Sequence, residues 1–342
     1  MKLQSREIFP PLFLAPMAGL THSALRTLLL SFGGVGLLST EMLSARRLPV
    51  ENDAISPYLT RTPIETPLSY QLFLTAEKEI APAIDALHRF GADSIDLNLG
   101  CPAPRVRKAG GGSSLMTTPE LVRTLVASTR KQTGLPLTAK IRLGETLNAE
   151  KLRDFCLMLQ GEGIDLLTVH ARLRGESFCR KPRWEWVGRV KDWLSIPVVA
   201  NGSIFSVDDA RKCLQASGAD GLMIGRAAAQ SPWLFADMAK EVYGADISLR
   251  EISLPGIYGQ FVQALVERFR PERRLGRLKE FTHYFALNYP FGHHLASRVQ
   301  SSRSVEEACT RAVIFFEQSD PKQVDELKAI IATLPLPSQK EH

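Results

Sequence analysis

Cysteine is scarce in this chain. Five are scattered over 342 residues, at positions 101, 156, 179, 213 and 309. That number and spacing exclude a disulfide framework. With no CxxC and no His/Cys cluster they give no zinc site either, so no metal is expected. Long apolar runs are also missing, and none approaches the ~18 residues that span a bilayer. The opening MKLQSREIFPPLF lacks the apolar stretch of a secretory signal. These absences predict a reduced, cytoplasmic protein without a membrane partner. A heavy excess of one charge is absent as well: the net charge of +6 permits an anionic partner without requiring one. No low-complexity segment interrupts the chain, and no GxGxxG follows the first apolar run, as it would in a doubly wound dinucleotide-binding sheet.

What is present is a rhythm. The short apolar runs LFLAPMAG, VGLLSTEM, PLSYQLF, SIDLNLG, PLTAKIRLG, LLTVHAR, PVVANGS and GLMIGRA have the length of buried parallel strands, with bodies read as apolar. Helical patterns separate most of them. AEKEIAPAIDALHRFG stops at Gly91, Thr118 and Pro119 open the next pattern, and SVDDARKCLQASG runs from a Ser206 cap to Gly218. The connection from Asn52 to Thr66 is the weakest helix. Eight such units over roughly 240 residues predict a (β/α)₈ TIM barrel. After VYGADIS the pattern changes to four amphipathic helices with no strand between them. The chain therefore divides into a barrel over 1–248 and a smaller all-helical domain over 249–342.

A barrel of this kind works at the C-terminal ends of its strands. Those ends read Pro16, Met17 and Ala18; Glu41; Gln71; Asn98 and Cys101; Lys140 and Arg142; His170 and Arg172; Asn201 and Gly202; Gly225 and Arg226. Cations at a buried rim want an anionic ligand. ANGSI and MIGRA each place a glycine just past a strand. With Arg226 beside them they predict a phosphate site after strands seven and eight. One phosphate, a lysine near the barrel centre, a glutamine and a Met–Ala backbone suit flavin mononucleotide, FMN.

At this point a resemblance is plain. LNLGCPAPRVRKAGGGS, with APMAG, STEM, QLF, KIRLG, VHAR, ANGSI and MIGRA in order, resembles the tRNA-dihydrouridine synthases over roughly residues 11 to 235. The helical C-terminus is similar in kind to that family's tRNA-binding domain. The resemblance implies FMN- and NADPH-dependent reduction of the C5=C6 bond of a uridine in tRNA. It implies Cys101 as proton donor and Asn98 on the target uracil. It implies Gln71, Lys140, His170, Asn201, Gly202, Gly225 and Arg226 around FMN, with Pro16, Met17 and Ala18 beneath the ring and Arg142 and Arg172 on substrate or phosphate. Pro104 and Leu74 depart from the family's usual Lys and Gly.

Chemistry leads to the same thiol. A donor to uracil C5 must be protonated near neutrality yet labile, and a thiol with a reference pKa of ~8.5 meets both demands. Cys156 and Cys213 sit in helical patterns and read as packing. VRKAGGGSS reads as a mobile, cationic loop. Basic residues recur at Arg46 and Arg47, in RLRGESFCRKPRWEW and in RFRPERRLGRLK, as an RNA partner would need. Phe178 and Trp184 are equally suited to base stacking or to packing. A monomer is expected. Two rival readings stay open: a small-molecule pyrimidine or dihydroorotate-type oxidoreductase, and a flavin-dependent RNA methyl transferase.

Overall fold

Short apolar strands bounded by glycine and proline need a neighbour on each side to satisfy their backbone groups. In the computed structural model, which describes residues 1–52 and 54–335, they find those neighbours in a ring. β1 (Leu12–Leu14), β2 (Leu38–Ser39), β3 (Leu68–Phe73), β4 (Ser94–Asn98), β5 (Leu137–Arg142), β6 (Leu166–His170), β7 (Val198–Asn201) and β8 (Gly221–Ile224) pair in parallel. β8 returns to β1, and a parallel bridge between Phe13 and Leu37 closes the barrel. β2 leaves the ladder after Ser39 and rejoins β3 as Leu43–Ser44. Among the described residues no helix is long and apolar enough to cross a membrane.

The outer layer is α1 (Ser23–Phe32), α2 (Ile80–Arg89), α3 (Pro119–Gln132), α4 (Ala149–Gly161), α5 (Trp184–Trp193), α6 (Val207–Ser217) and α7 (Leu234–Tyr243). Among the described residues, the connection after β2 holds no helix beyond a 3₁₀ turn at Leu48–Val50. Ser206 caps α6 by accepting from the Asp209 N–H at 3.0 Å, and Gly218 ends it at φ 56°. Thr118 stands at the N-cap of α3 but its side chain makes no capping bond. It closes the preceding 3₁₀ segment Gly112–Thr117, and its hydroxyl donates back to the Leu115 carbonyl at 3.2 Å.

The strand bodies correct the sequence reading: they are apolar on one face only. Leu68, Tyr70 and Leu72 point outward into the core beneath the helices. Their alternates Ser69 and Gln71 are buried on the other face, in register with Ser94 and Asp96. Apolar inward residues are confined to the opposite side of the ring. There Phe13, Leu166, Val199 and Met223 meet Leu3 and Ile8 of the N-terminal hairpin, which stops the base of the barrel.

Beyond the barrel come α8 (Leu254–Arg268), α9 (Arg274–Phe285), α10 (Gly292–Gln300), α11 (Val305–Ser319) and α12 (Val324–Thr333). α10 was not expected, because only Leu295 and Val299 of its larger apolar side chains are buried and its polar residues mask the period. Gly256 lets α12 close on α8: a Cβ there would lie 2.0 Å from the Glu326 carboxylate. Phe261 and Phe281 stack at 3.7 Å, and α8 lies on α1, so one core runs from the barrel layer into the bundle. The proposed boundary at 248/249 falls in the irregular stretch between α7 and α8; residues 336–342 lie outside the described residues.

The long connection after β2 is fastened by a buried ion pair. Arg26 of α1 meets Glu65, both almost fully buried. Arg26 also donates to the carbonyls of Thr21 at 2.7 Å and Thr60 at 2.8 Å, while Ser23 and the Thr62 N–H donate to Glu65. Removing one partner leaves the other charge buried and unpaired. Arg26→Ala is therefore expected to lower the unfolding free energy by about 3–5 kcal/mol. Urea unfolding measures this, and a loss below about 1 kcal/mol would show the pair to be solvated.

Candidate active site

Register assembles the floor of the site. Gln71 is level with Asp96, Asp96 with Thr138, and Asn98 with Lys140 on neighbouring strands, so their side chains share the barrel interior. Asp96 accepts from Gln71 Nε2 at 2.7 Å and from Thr138 Oγ1 at 2.6 Å. Gln71 Oε1 accepts from Asn98 Nδ2 at 2.7 Å. Asn98 Oδ1 in turn accepts the backbone N–H of Cys101 at 2.9 Å. Burial raises the Asp96 carboxyl, opposed by those two donors and by Lys140.

Across the floor, Lys140 Nζ donates to Asn201 Oδ1 at 2.9 Å, and Asn201 Nδ2 donates to the Met223 carbonyl. Burial, then Arg142, pushes Lys140 down to about 8, against the pull of Asp96 and Cys101. Burial and four neighbouring cations hold His170 well below its ordinary value, so its ring is neutral. Every strand-end residue read from the sequence except Glu41 lines this one cavity of about 290 Å³, and Phe178 joins them.

The thiol turn departs from the sequence reading. The segment after Cys101 holds more regular structure than the loop read from the sequence: Pro104–Lys108 is a short helix and Gly112–Thr117 a 3₁₀ segment. The Ser113 N–H donates to the Cys101 carbonyl at 2.9 Å. The glycines allow close approach. A Cβ on Gly111 would lie 2.0 Å from the Phe73 ring, and one on Gly112, at φ 59°, would lie 2.6 Å from the Cys101 carbonyl. Cys156, Cys213 and Cys309 are buried in helices, and burial raises all three thiols; Cys179 is exposed.

At the rim, Phe178 is half exposed and lies 6.0 Å from the His170 ring. The Arg226 guanidinium sits between Phe178 at 4.6 Å and Phe205 at 5.2 Å. Arg172 is buried and spent on the loop, donating to the carbonyls of Phe178 and Arg180 and to Ser203 Oγ. Trp184 packs, its indole donating to the Gly202 carbonyl at 3.0 Å. Arg142 donates to the Leu173 carbonyl at 2.9 Å. Arg183 makes a two-pronged bond to Glu176 and holds that carboxyl down to about 2. In the backbone, Gly202 at φ 126° and Ser203 at φ 50° make a tight turn beside Arg226.

Sequence reasoning missed Asp96, Thr138 and Phe205, and also Glu280 and Tyr284, which α9 brings to the cavity wall. Asp96 stands two residues before Asn98, and the two-residue strand period would have found it; nothing local flags Glu280 or Tyr284. The basic segment of the bundle is also divided. Arg274 donates to the carbonyls of Phe269 and Val266, and Arg277 reaches Glu41 at 3.9 Å. Arg270 and Arg273 stay exposed, as do Arg46, Arg47, Arg105, Arg107, Lys108, Arg180 and Lys181. Arg174 pairs with Glu145. Among the described residues no cluster of His, Cys, Asp or Glu is placed to hold a metal ion.

Comparison with known proteins bears on this arrangement. The family described as dihydrouridine synthase (Dus) matches residues 13–307. The tRNA-dihydrouridine(16) synthase of Aquipseudomonas alcaligenes is 34% identical over 306 residues, covering 86% of this chain and 96% of that protein. The protein of that name from Neisseria meningitidis serogroup B is 32% identical, covering 86% and 92%. A probable tRNA-dihydrouridine synthase 1 from Synechocystis is 35% identical, covering 66% of this chain and 63% of its own length. Among solved structures, histamine dehydrogenase from Rhizobium sp. 4-9 superposes with a TM-score of 0.56 at 14% identity, covering 77% of this chain and 50% of that one, a likeness of fold.

The clamp around Cys101 has a direct test. Gly112→Ala should destabilise the chain by about 1–3 kcal/mol through steric conflict and left-handed backbone. Gly110→Asn, at φ 84° with open space around it, should cost less than about 1 kcal/mol. Urea midpoints separate the two, and equal, small costs would restore the flexible-loop reading.

Proposed function

The chain belongs to the dihydrouridine synthase family, and from that membership we propose that it reduces the C5=C6 bond of a uridine in tRNA, with FMN as resident cofactor and NADPH as reductant. The observation that carries the reading is one cavity lined together by Cys101, Lys140 and Arg226. The names of two relatives point to uridine 16 as the position to examine first.

The donor set fits FMN. Arg226 faces two aromatic rings rather than a carboxylate, which leaves its charge for a phosphate. The turn at Gly202 and Ser203 lies beside it, and a Cβ on Gly202 would press to 2.9 Å on the His170 ring. Lys140, fixed by Asn201, offers a positive charge to the anionic edge of the ring system. When bound, FMN supplies the hydride. Everything else falls to side chains of the chain itself. Cys101 holds a proton at Sγ for uracil C5. The Asn98 carboxamide fixes the turn that carries the thiol. Neutral His170 adds no positive charge beside Lys140. Phe178 and Tyr284 stand at the mouth, where an extruded base enters. The exposed cations around the rim suit RNA phosphates better than a small neutral pyrimidine.

Two measurements test this. Cys101→Ala should keep FMN and oxidise NADPH, yet form dihydrouridine on unmodified tRNA roughly 10²–10⁴-fold more slowly; a normal product rate would reduce the thiol to packing. FMN affinity should also fall as pH rises through about 8, where Lys140 loses its proton. A phosphate monoester is already doubly charged there, His170 is already neutral, and Arg142, Arg172 and Arg226 keep their charge. Lys140→Gln should flatten the profile, and a wild-type affinity unchanged from pH 7 to 9 would remove Lys140 from the cofactor site.

A further inference from the structure

Three buried side chains and a half-buried backbone N–H stand in line behind the thiol turn. Asp96, Gln71, Asn98 and the Cys101 N–H are joined by bonds of 2.7, 2.7 and 2.9 Å, with Gly100 N–H adding a second donor to Asn98 at 3.3 Å. A primary carboxamide can face either way, presenting its oxygen or its NH₂. Here only one sense is consistent. An ionised carboxylate has no hydrogen to give, so Gln71 must turn its NH₂ to Asp96. That leaves Gln71 Oε1 for the Asn98 NH₂, and leaves Asn98 Oδ1 as the acceptor that the two backbone N–H groups need. At the far side, Thr138 satisfies the other carboxylate oxygen at 2.6 Å.

We propose that Asp96 is a positioning residue of the reaction: its negative charge sets the direction of the Gln71–Asn98 hydrogen-bond relay and so holds the Cys101 turn in the geometry for proton delivery. This rests on the reading of Cys101 as the proton donor. Asp96 is two carboxamides away from the thiol and reaches it through them; its charge also bears on Lys140 across the floor, which the thiol ratio does not read. With the charge removed, either carboxamide is free to turn over. The turned-over state points the Asn98 NH₂ at two N–H donors, which must then move apart.

The test uses the chain's own thiols as gauges. The flavin-bound enzyme is alkylated with N-ethylmaleimide, and each cysteine peptide is quantified by mass spectrometry. Exposed Cys179 is the reference rate, and buried Cys156, Cys213 and Cys309 report loosening of the fold. Asp96→Asn is expected to change the Cys101-to-Cys179 rate ratio several-fold while the three buried thiols stay protected. Dihydrouridine formation should fall roughly 10²-fold, the scale of a small misplacement at a reacting group. An Asp96→Asn enzyme whose thiol ratio and product rate both stay within twofold of the parent overturns the proposal.

The double variant Asp96→Asn with Gln71→Glu moves the carboxylate one station along. The carboxylate now at position 71 accepts from the new carboxamide at position 96 and from Asn98, so the direction of the relay is restored. Because Gln71 also lines the cofactor cavity, this variant is read by the thiol ratio alone. Return to the parent ratio supports the proposal, and an altered ratio in a folded double variant overturns it, including when Asp96→Asn alone does not fold. The wild-type product assay stands apart: a parent enzyme that forms no dihydrouridine refutes the reaction, not the relay.

Discussion

Parallel pairing with a two-residue pleat is the constraint on which the site depends. It puts every second side chain of each strand inside the ring and lines up those of neighbouring strands at one height. The chain uses that geometry asymmetrically. On the arc formed by β3, β4 and β5 the inward positions are Ser69, Gln71, Ser94, Asp96, Asn98, Thr138 and Lys140. On the arc formed by β6, β7, β8 and β1 they include Leu166, Val199, Met223 and Phe13. One half of the interior packs, and in the other half Gln71, Asp96, Asn98, Thr138 and Lys140 are tied by hydrogen bonds, while the Ser69 and Ser94 hydroxyls find no partner among the described residues. A buried polar chain holds one arrangement when its members are partnered, and here the relay ends on backbone N–H groups.

Cations in this protein fall into two kinds. Some are struts: Arg26 on Glu65, Arg172 on the carbonyls of its own loop, Arg183 on Glu176, Arg274 on the end of α8. Arg277 ties the bundle to Glu41 at the end of β2 while lying over Phe269. Burial raises the Glu41 carboxyl, partly offset by the Gly19 N–H and by Arg277. Lys140 and Arg226 are different, since among the described residues neither meets a carboxylate at bonding distance. A barrel mouth that keeps such cations is organised around an anion it does not itself supply.

Much of this was legible in the sequence. The eight apolar runs gave the barrel, and reading the ends of strands gave Gln71, Asn98, Cys101, Lys140 and Arg226 because fold and function share that rim. The inward arc was not legible, since PLSYQLF and SIDLN look apolar until the pleat separates Ser69 and Gln71 from Leu68 and Leu72. The glycines after Cys101 were misread because composition does not distinguish freedom from lack of room: Gly110 has open space, whereas Gly111 faces Phe73. Glu280 and Tyr284 lie too far along the chain for any local pattern to join them to Cys101.

That distance has a consequence for a shortened chain. The barrel strands are complete by Ile224, but part of the cavity wall is α9, and α9 sits in a bundle that α12 helps to close against α8. α12 is thus among the helices that steady the wall. A chain stopped after the eighth strand would carry the thiol and the lysine but would lack Glu280 and Tyr284 from the cavity wall.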